Sequence, residues 1–317
     1  MRVQIVTPAP RASRSGNRLT ALRWAGQLRS LGHRVRVREA LDDAPADLLI
    51  ALHAEKSASS LAAWKTRRAS APAVLIMTGT DLYDHDRLSQ VALESCARAD
   101  RIVVLQPGAI ERIPSELRGR VRCIPQSALP PRELPSRDND RFEVVSLAHL
   151  RPVKDPLLLA RAAALVPANS RLRVRLAGSA YDAALADAVR RESLEHPRFE
   201  WVGSLSRTEA MRLLASADLL VITSRNEGGP AVVPEAIACG VGILSTEMPA
   251  ARSLLGADHP GLFPVGDSAA LAELLHRAEA DPQFLHRLTQ RSLDAQPEVD
   301  PSRERGRIAA LLSELPR

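Results

Sequence analysis

Short apolar segments alternate with helix-like segments from the first residues onward, and this alternation limits the possible folds more than any other feature of the sequence. Residues 1–7 form an apolar strand-like segment, an amphipathic helix is predicted near 19–31, and a second strand is predicted at 35–37. A strand, a helix and a further strand in succession favour parallel pairing, because the helix returns the chain to the starting edge of the sheet. The sequence therefore predicts an α/β protein with parallel sheets.

The alternation occurs twice along the chain. The first series continues through predicted strands at 47–52, 74–77, 101–105 and 121–125, and the second runs from a strand at 142–147 to a strand at 242–246. Between them lies a proline-rich, charged stretch, 130–140, that is typical of a linker. We predict two doubly wound Rossmann-like domains, residues 1–136 and 137–294, facing across a cleft, with a helix at about 295–317 that packs back on the first.

Composition argues against several classes of function. The net charge is +6, but there is no run of consecutive basic residues, and only 3% of residues are aromatic, so base stacking would lack its platforms. No apolar run approaches the roughly 18 to 20 residues that a membrane span needs. The N-terminal apolar segment is too short for a signal peptide. We therefore expect a cytoplasmic protein that binds neither nucleic acid nor membrane.

The three cysteines do not indicate a metal site or a disulfide framework. Cys96, Cys123 and Cys239 have unrelated spacings, with no C-x-x-C pair and no paired histidines nearby. Reduced thiols that serve as small apolar side chains are the better interpretation. We expect no metal and no cofactor.

The most informative motif lies between an apolar strand at 217–223 and a segment with helical composition. It contains Gly228 and Gly229, with Glu227 just before them and Glu235 eight positions further on. Free N–H groups and the helix dipole favour an anion at such a turn, whereas carboxylates suit hydroxyl groups. A ligand with both phosphate and hydroxyls, a nucleotide sugar, fits this combination, although an ordinary solvated turn would have the same composition.

Polar residues also follow the predicted strands of the first half, at the edge where parallel sheets bind ligands. The loop after the first strand is rich in arginine and serine, the third strand ends on His53, and Thr80 and Asp81 follow the fourth. The loop contains neither a dinucleotide fingerprint nor a P-loop, which disfavours a Rossmann dehydrogenase. These side chains fit a second, anionic ligand, and solvated loops remain the alternative.

The second half shows similar strand ends. His149, Arg151 and Lys154 lie between the strand at 142–147 and a predicted helix at 157–165, where cations could neutralise a diphosphate. Gly178 and the turn at 203–205 follow two further strands, at places where backbone groups could approach a base. Ser206 and Glu209 have the spacing of a capping box at a helix start.

Together, these motifs resemble the retaining, metal-independent GT-B glycosyltransferases that use nucleotide sugars. The resemblance is carried by Lys154 after a strand, by Glu227 and Glu235 with seven residues between them, and by the two glycines. One departure is that Ala148-His149 stands where the group usually has Gly-Arg. The role of the cation at the diphosphate is therefore assigned to Lys154 and left open for Arg151 and His149.

Further segments are similar to the selenosugar synthases of selenoneine biosynthesis: residues 7–10 with 13–18, 78–83, 150–156 and 263–267. This resemblance implies transfer of N-acetylglucosamine from UDP-N-acetylglucosamine to selenophosphate, which gives a 1-seleno sugar and UDP.

The resemblance also implies roles for individual residues. It implies that Glu235 binds the ribose, Glu227 binds the donor sugar, and Lys154 neutralises the leaving diphosphate. We assign Lys154, Glu227 and His53 as the catalytic residues. The other residues expected to bind the donor are Arg151, His149, Gly178, Gly203, Leu205, Gly228, Gly229 and Pro230. We further assign to the acceptor Arg14, Ser15, Gly16, Asn17, Arg18, Lys56, Ser57, Thr80 and Asp81.

Three alternatives remain open from the sequence. A glycosyltransferase with a hydroxyl acceptor would share the C-terminal motif, and a nucleotide-sugar epimerase would share the two-domain plan. A non-catalytic nucleotide-binding protein would bind UDP without consuming the sugar nucleotide.

Overall fold

The structure is a computed structural model that describes residues 1–13, 15–83, 87–136 and 140–316. Arg14 and residues 137–139 of the predicted linker therefore lie outside the described residues. The chain divides into two compact units. Unit 1 contains residues 1–127, 227–231 and the segment from Pro301 onward, and unit 2 contains residues 128–226 and 232–300.

Unit 1 is built on a parallel six-stranded sheet, which confirms the predicted fold class for this part of the chain. Its strands are β1 (Arg2–Val6), β2 (Arg34–Arg38), β3 (Leu48–Leu52), β4 (Ala73–Ile76), β5 (Arg101–Val104) and β6 (Val121–Cys123), in the order β2-β1-β3-β4-β5-β6. Its first helices are α1 (Gly16–Ser30), α2 (Ala58–Arg67), α3 (Thr80–Tyr83) and α4 (Gln90–Arg98). Two 3₁₀ turns, Pro107–Arg112 and Ser115–Arg120, connect β5 to β6.

Unit 2 repeats this architecture with a second parallel sheet of six strands. The strands are β7 (Phe142–Leu147), β8 (Leu172–Ala177), β9 (Phe199–Gly203), β10 (Leu219–Ile222), β11 (Gly242–Thr246) and β12 (Leu262–Phe263), in the order β12-β11-β10-β7-β8-β9. The helices are α5 (Pro156–Leu165), α6 (Ala183–Glu195), α7 (Arg207–Ala215), α8 (Val232–Cys239), α9 (Pro249–Leu255), α10 (Ser268–Ala280) and α11 (Pro282–Ala295). The 3₁₀ turns of unit 2 are Pro152–Lys154 and Gln296–Val299.

Both faces of each sheet are covered by apolar side chains, as expected for parallel strands with helical crossovers. In β10, Leu219 and Val221 belong to the apolar cluster on one face, and Leu220 and Ile222 belong to the cluster on the other. This alternation follows from the two-residue period of a strand. The sequence of β10 is therefore a continuous apolar run, and this run is the pattern from which the strand was predicted.

The last helix, α12 (Pro301–Ser313), returns to unit 1 and packs on α1. Ile308 and Leu311 enter the apolar cluster that also contains Trp24. Glu304, whose side chain is 1% exposed, accepts hydrogen bonds from Arg23 Nε at 3.0 Å and from the backbone N–H of Ser127 at 3.1 Å. A buried carboxylate with several donors is held firmly, so these bonds fix α12 on unit 1.

Each sheet has one switch point, where successive crossovers leave in opposite directions. In unit 1 it lies between β1 and β3, and in unit 2 between β7 and β10. The loops beyond the carboxyl ends of such strand pairs diverge, and the resulting crevice is where open parallel sheets bind ligands. In unit 2 this edge carries the loop with Lys154 and the segment that leads from β10 toward α8.

A buried histidine makes the stability of unit 2 depend on pH. His259 is 5% exposed, and its Nδ1 accepts a hydrogen bond from the backbone N–H of Gly261 at 3.2 Å. Burial, assisted by the Arg291 guanidinium and opposed by the Asp258 carboxylate, lowers the pKa of His259 to about 4. The folded state therefore holds this imidazole neutral at pH values where the unfolded chain has already bound a proton.

We predict that the free energy of unfolding falls as the pH decreases from about 6.5 to about 4, with His259 contributing a loss of at most about 3 kcal/mol. The sign follows because the unfolded state binds the extra proton in this window. Urea denaturation at several pH values should show a shallower decline for His259→Asn, which keeps an acceptor for the N–H of Gly261. Parallel curves for the two proteins would contradict this prediction.

Candidate active site

The carboxyl edge of the unit 1 sheet brings together a histidine, a threonine and an aspartate from two neighbouring strands. His53 follows β3 in a left-handed backbone conformation with φ of 72°, and its side chain is buried. Its Nε2 lies 2.8 Å from Thr80 Oγ1, and the backbone N–H of Lys56 donates to its Nδ1 at 3.4 Å. The N–H of Lys56 at Nδ1 favours the tautomer with the proton on Nε2, which would donate it to Thr80, and Asp81 Oδ2 lies 3.9 Å from Nδ1. The hydroxyl proton of Thr80 can then be donated to another group.

Asp81 is the centre of this cluster rather than an exposed ligand contact. Its side chain is buried, and its carboxylate accepts backbone N–H groups from Ala54 at 2.8 Å, Thr78 at 2.9 Å and Gly79 at 2.8 Å. These bonds join the loops that follow β3 and β4. Asp81 therefore positions His53 and Thr80, and its predicted contact with the acceptor stays a prediction.

Two of the predicted acceptor residues near His53 differ in exposure. Lys56 is exposed, and its ammonium makes no ion pair with any described residue. Ser57 is buried and donates its hydroxyl to the carbonyl of Leu52 at 2.6 Å. Lys56 is thus available to an anion, whereas Ser57 supports the turn into α2.

The start of α1 holds shielded polar atoms without partners. Gly16 and Asn17 are the first two residues of α1, and Ser15 is its N-cap but makes no side-chain capping bond. Ser15 Oγ, Arg18 Nε and, after β1, Thr7 Oγ1 are shielded from solvent and lack a hydrogen-bond partner among the described residues. Buried polar atoms are normally paired, so these three atoms are suited to a ligand.

The glycine segment 227–231 belongs to unit 1, where it approaches the loop after β4 closely. A Cβ on Gly228 would lie 2.3 Å from the Cα of Gly79 and 2.6 Å from the carbonyl oxygen of Thr78, so only glycine fits there. The carbonyl of Gly229 accepts from Gln126 Nε2 at 2.8 Å. Within the described chain, no hydrogen bond occupies the N–H of Gly228 or Gly229, and the contact of these groups with an anion stays a prediction.

Two other residues of this motif are also partly or fully shielded. Glu227 is half-buried and Pro230 is buried. Their predicted contacts with the donor stay predictions.

In unit 2, two hydrogen bonds join the loops at the switch point. The hydroxyl of Thr223 donates to the carbonyl of Lys154 at 2.8 Å, and the N–H of Arg225 donates to the carbonyl of Val153 at 2.8 Å. Thr223 and Arg225 come after β10, whereas Val153 and Lys154 lie in the turn after β7. The backbone of Lys154 is thereby fixed at the edge where a ligand is expected, with its side chain half-buried and Arg151 exposed nearby in sequence.

The glycines at the ends of β8 and β9 are required by the backbone, Gly178 by close packing and Gly203 by its left-handed conformation. A Cβ on Gly178 would lie 1.9 Å from the carbonyl oxygen of Ala148, and Gly203 has a φ of 77°. The N–H of Gly178 donates to the carbonyl of Gly203 at 2.8 Å, and its carbonyl accepts from Trp201 Nε1 at 3.0 Å. Close packing at Gly178 and the positive φ of Gly203 give these positions a reason to be glycine apart from the base contact predicted for them.

Two further residues predicted to bind the donor lie near this turn. His149 Nδ1 accepts from the N–H of Ser179 at 3.1 Å, and its ring meets Tyr181 edge-on at 5.2 Å. Leu205 packs against the apolar cluster of unit 2.

Glu235, in the first turn of α8, pairs with an arginine that sequence reasoning missed. Arg207 Nη1 lies 2.7 Å from Glu235 Oε1, and the glutamate side chain is only 12% exposed. Ser206 and Glu209 form the predicted capping box, which places Arg207 at the start of α7. The capping box was a usable signal for the position of Arg207, but nothing local indicated its partner 28 residues away.

The cysteines are poorly suited to nucleophilic chemistry. Burial raises the pKa of Cys96 to about 12, with a smaller contribution from the Asp81 carboxylate. Burial likewise raises the pKa of Cys123 to about 11 and that of Cys239 to about 11, the latter assisted by Glu235. These thiols stay protonated near neutral pH, so thiolate attack is disfavoured.

Two features are absent from the part of the chain that the structure describes. No group of three or more histidine, cysteine, aspartate or glutamate side chains is arranged to hold a metal ion there. No described helix is both long and apolar enough to cross a membrane.

Solved structures with the same fold cover nearly the whole chain. HepE from Anabaena, solved in complex with UDP, is 19% identical, with a TM-score of 0.75 over 99% of this chain and 100% of that one. Sucrose-phosphate synthase from Thermosynechococcus elongatus is 17% identical, with a TM-score of 0.79 over 99% and 98%. A glycosyltransferase from Rickettsia africae is 12% identical, with a TM-score of 0.77 over 99% and 98%. The predicted GT-B fold is thereby confirmed.

No curated protein matches the sequence. Residues 132–294, just over half of the 317-residue chain, match the family described as Glycosyl transferases group 1. The matched region contains Lys154, Gly178, Glu227 and Glu235. The chain belongs to the Glycosyl transferases group 1 family.

Proposed function

We propose that the protein is a selenosugar synthase, which transfers N-acetylglucosamine from UDP-N-acetylglucosamine to selenophosphate and releases UDP. Membership of the glycosyltransferase family and the complex of HepE with UDP support the use of a UDP-sugar. The selenophosphate acceptor rests on the sequence resemblance and on the chemistry of the carboxyl edge of unit 1. The observation that carries the proposal is the engaged imidazole of His53.

The donor residues suit a nucleotide sugar. The Glu235 carboxylate can accept hydrogen bonds from the ribose hydroxyls while Arg207 holds its Oε1. Lys154, on its fixed turn, would neutralise the charge that develops on the departing diphosphate. The N–H groups of Gly228 and Gly229 and the carboxylate of Glu227 would bind phosphate and sugar.

The acceptor residues suit a nucleophile that is already ionised. Both ring nitrogens of His53 are engaged, Nε2 with the hydroxyl of Thr80 and Nδ1 with the backbone N–H of Lys56, so the imidazole is poorly placed to remove a proton from an alcohol. Selenophosphate needs no such base. Arg18 and Lys56 would bind its phosphate, and Thr80 would donate its hydroxyl proton to it.

In the proposed reaction, the selenium of selenophosphate forms a bond to the anomeric carbon as the bond from that carbon to the diphosphate oxygen breaks. The bonding electrons leave with UDP, and the positive charge on the sugar ring is greatest in the transition state. The first product carries the phosphoryl group on selenium, and hydrolysis of its Se–P bond by water gives the 1-seleno sugar and phosphate. His53 would act by positioning Thr80, and Lys154 by stabilising the leaving group.

The direct test of the proposal is mass spectrometry of the products formed by purified protein from UDP-N-acetylglucosamine and selenophosphate. We expect a 1-seleno sugar and an equal amount of UDP, and no sugar product without an acceptor. A reaction with thiophosphate measures the preference for selenium. Conversion of the UDP-sugar without acceptor would instead indicate an epimerase, and UDP binding without turnover would indicate a non-catalytic protein.

A second prediction concerns Glu235. Replacement by Gln removes the charge that would bind the ribose, so UDP should bind roughly 10-fold to 100-fold more weakly in isothermal titration calorimetry. The variant should lose less affinity for 2′-deoxy-UDP, which lacks one of the hydroxyls. Glu200→Gln is a matched control, because Glu200 is an exposed acid on β9 that pairs with Arg173. Equal losses for both nucleotides would contradict the ribose assignment.

A further inference from the structure

We infer that a groove between α1 and β2 of unit 1 is a second anion site, which binds a phosphate-bearing organic molecule. The groove has a volume of about 740 Å³, within the range of small-molecule sites. It is distinct from the donor residues of unit 2 and from the His53 cluster, although it shares Arg18 with the proposed acceptor set. The inference therefore goes beyond the proposed transfer reaction.

The charge of the groove is strongly positive. Five arginines and one acid line it: Arg11, Arg18, Arg29, Arg36, Arg38 and Glu39. Arg36 and Arg38 share the carboxylate of Asp42, at 3.4 Å and 3.1 Å. Among the described residues, no carboxylate pairs with the guanidinium of Arg11, Arg18 or Arg29, and Glu39 instead accepts the backbone N–H of Arg11. The groove therefore carries more positive charge than its neighbours neutralise.

Arg18 supplies the second observation. The residue is 8% exposed, and its Nε is shielded without a hydrogen-bond partner in the described chain. A buried guanidinium donor costs free energy unless it is paired. Arg18 lies in the first turn of α1, which contains no acid. An anion bound to Arg18 in the groove would satisfy this guanidinium and interact favourably with the helix dipole.

The remaining surface of the groove favours an organic phosphate over a bare ion. Leu22, Val35 and Val37 line it beside the arginines, and Leu22 is 45% exposed. Because β2 is at the edge of the sheet, the groove lies beside an unpaired strand edge. Phosphate groups would bind the arginines, and the apolar part of the ligand would cover these three side chains. Since Arg18 also belongs to the proposed acceptor set, a bound ligand would compete with selenophosphate.

The test uses inorganic tripolyphosphate as the probe, with saturating UDP present to fill any diphosphate site. Calorimetry should show that the wild-type protein binds tripolyphosphate and that Arg11→Ala/Arg38→Ala binds at least roughly tenfold more weakly. Arg190→Ala/Arg191→Ala on α6 is the control, because it removes the same charge from another exposed surface. Matching thermal unfolding midpoints would show that both variants are folded.

Sedimentation with phosphatidylcholine vesicles, with and without phosphatidic acid, distinguishes a soluble phosphate from a lipid headgroup. The site is supported if the groove variant loses binding of one of the two probes while the control variant keeps it. The probe that is lost then shows whether the phosphate comes from a soluble molecule or from a lipid headgroup. Equal binding by the groove variant and the wild type, or no binding of either probe by the wild type, would overturn it. A separate titration with UDP tests the proposed donor site, so that a failure of the donor site can be distinguished from a failure of the groove site.

Discussion

Parallel strand pairing is the constraint from which the site follows. Because each strand needs a crossover to reach its neighbour, all loops that follow the strands of one sheet gather at the same edge. Where the crossovers change direction, the loops diverge and leave a crevice. In unit 2 the strands at that point are β7 and β10, and the bonds from Thr223 to Lys154 and from Arg225 to Val153 fasten their loops together. The position of Lys154 is therefore set by topology first and by two local hydrogen bonds second.

The polar residues at and near the carboxyl edge of the unit 1 sheet differ in whether the fold already provides them with hydrogen-bond or ionic partners. Asp81 is saturated by backbone donors, and His53 is committed to Thr80, so both stabilise the loops of unit 1. Lys56 and Arg18, in contrast, have charged groups that no described carboxylate neutralises. Electrostatic stabilisation is strongest when donors are held in place before the ligand arrives. Asp81 and His53 hold the loops in place, and the cationic groups of Lys56 and Arg18 are left for a ligand. This arrangement favours an anionic acceptor.

The local features of the fold could be predicted from the sequence, because they depend on neighbouring residues. The capping box of Ser206 and Glu209 was predicted and is confirmed. Helix α1 begins at Gly16 rather than near Leu19, since its first turn is polar and has no apolar periodicity to mark it. The left-handed residue Gly32 follows its end, as predicted.

The pairings that shape the site could not be predicted in this way. Arg207 lies 28 residues from Glu235, Gln126 lies 103 residues from Gly229, and Ser127 lies 177 residues from Glu304. Such contacts depend on how the sheets bring distant loops together, and no local pattern records them. Gly178 illustrates the same point, because the backbone of Ala148, 30 positions earlier, leaves no room for a side chain there.

The central claim is that a UDP-sugar binds with its ribose at Glu235 and its diphosphate at Lys154. A crystal structure of the protein with UDP tests it most directly. We predict ribose hydroxyls within hydrogen-bond distance of the Glu235 carboxylate and a diphosphate oxygen within hydrogen-bond distance of Lys154 Nζ. A nucleotide bound with its ribose away from Glu235, or with its diphosphate away from Lys154, would contradict the account.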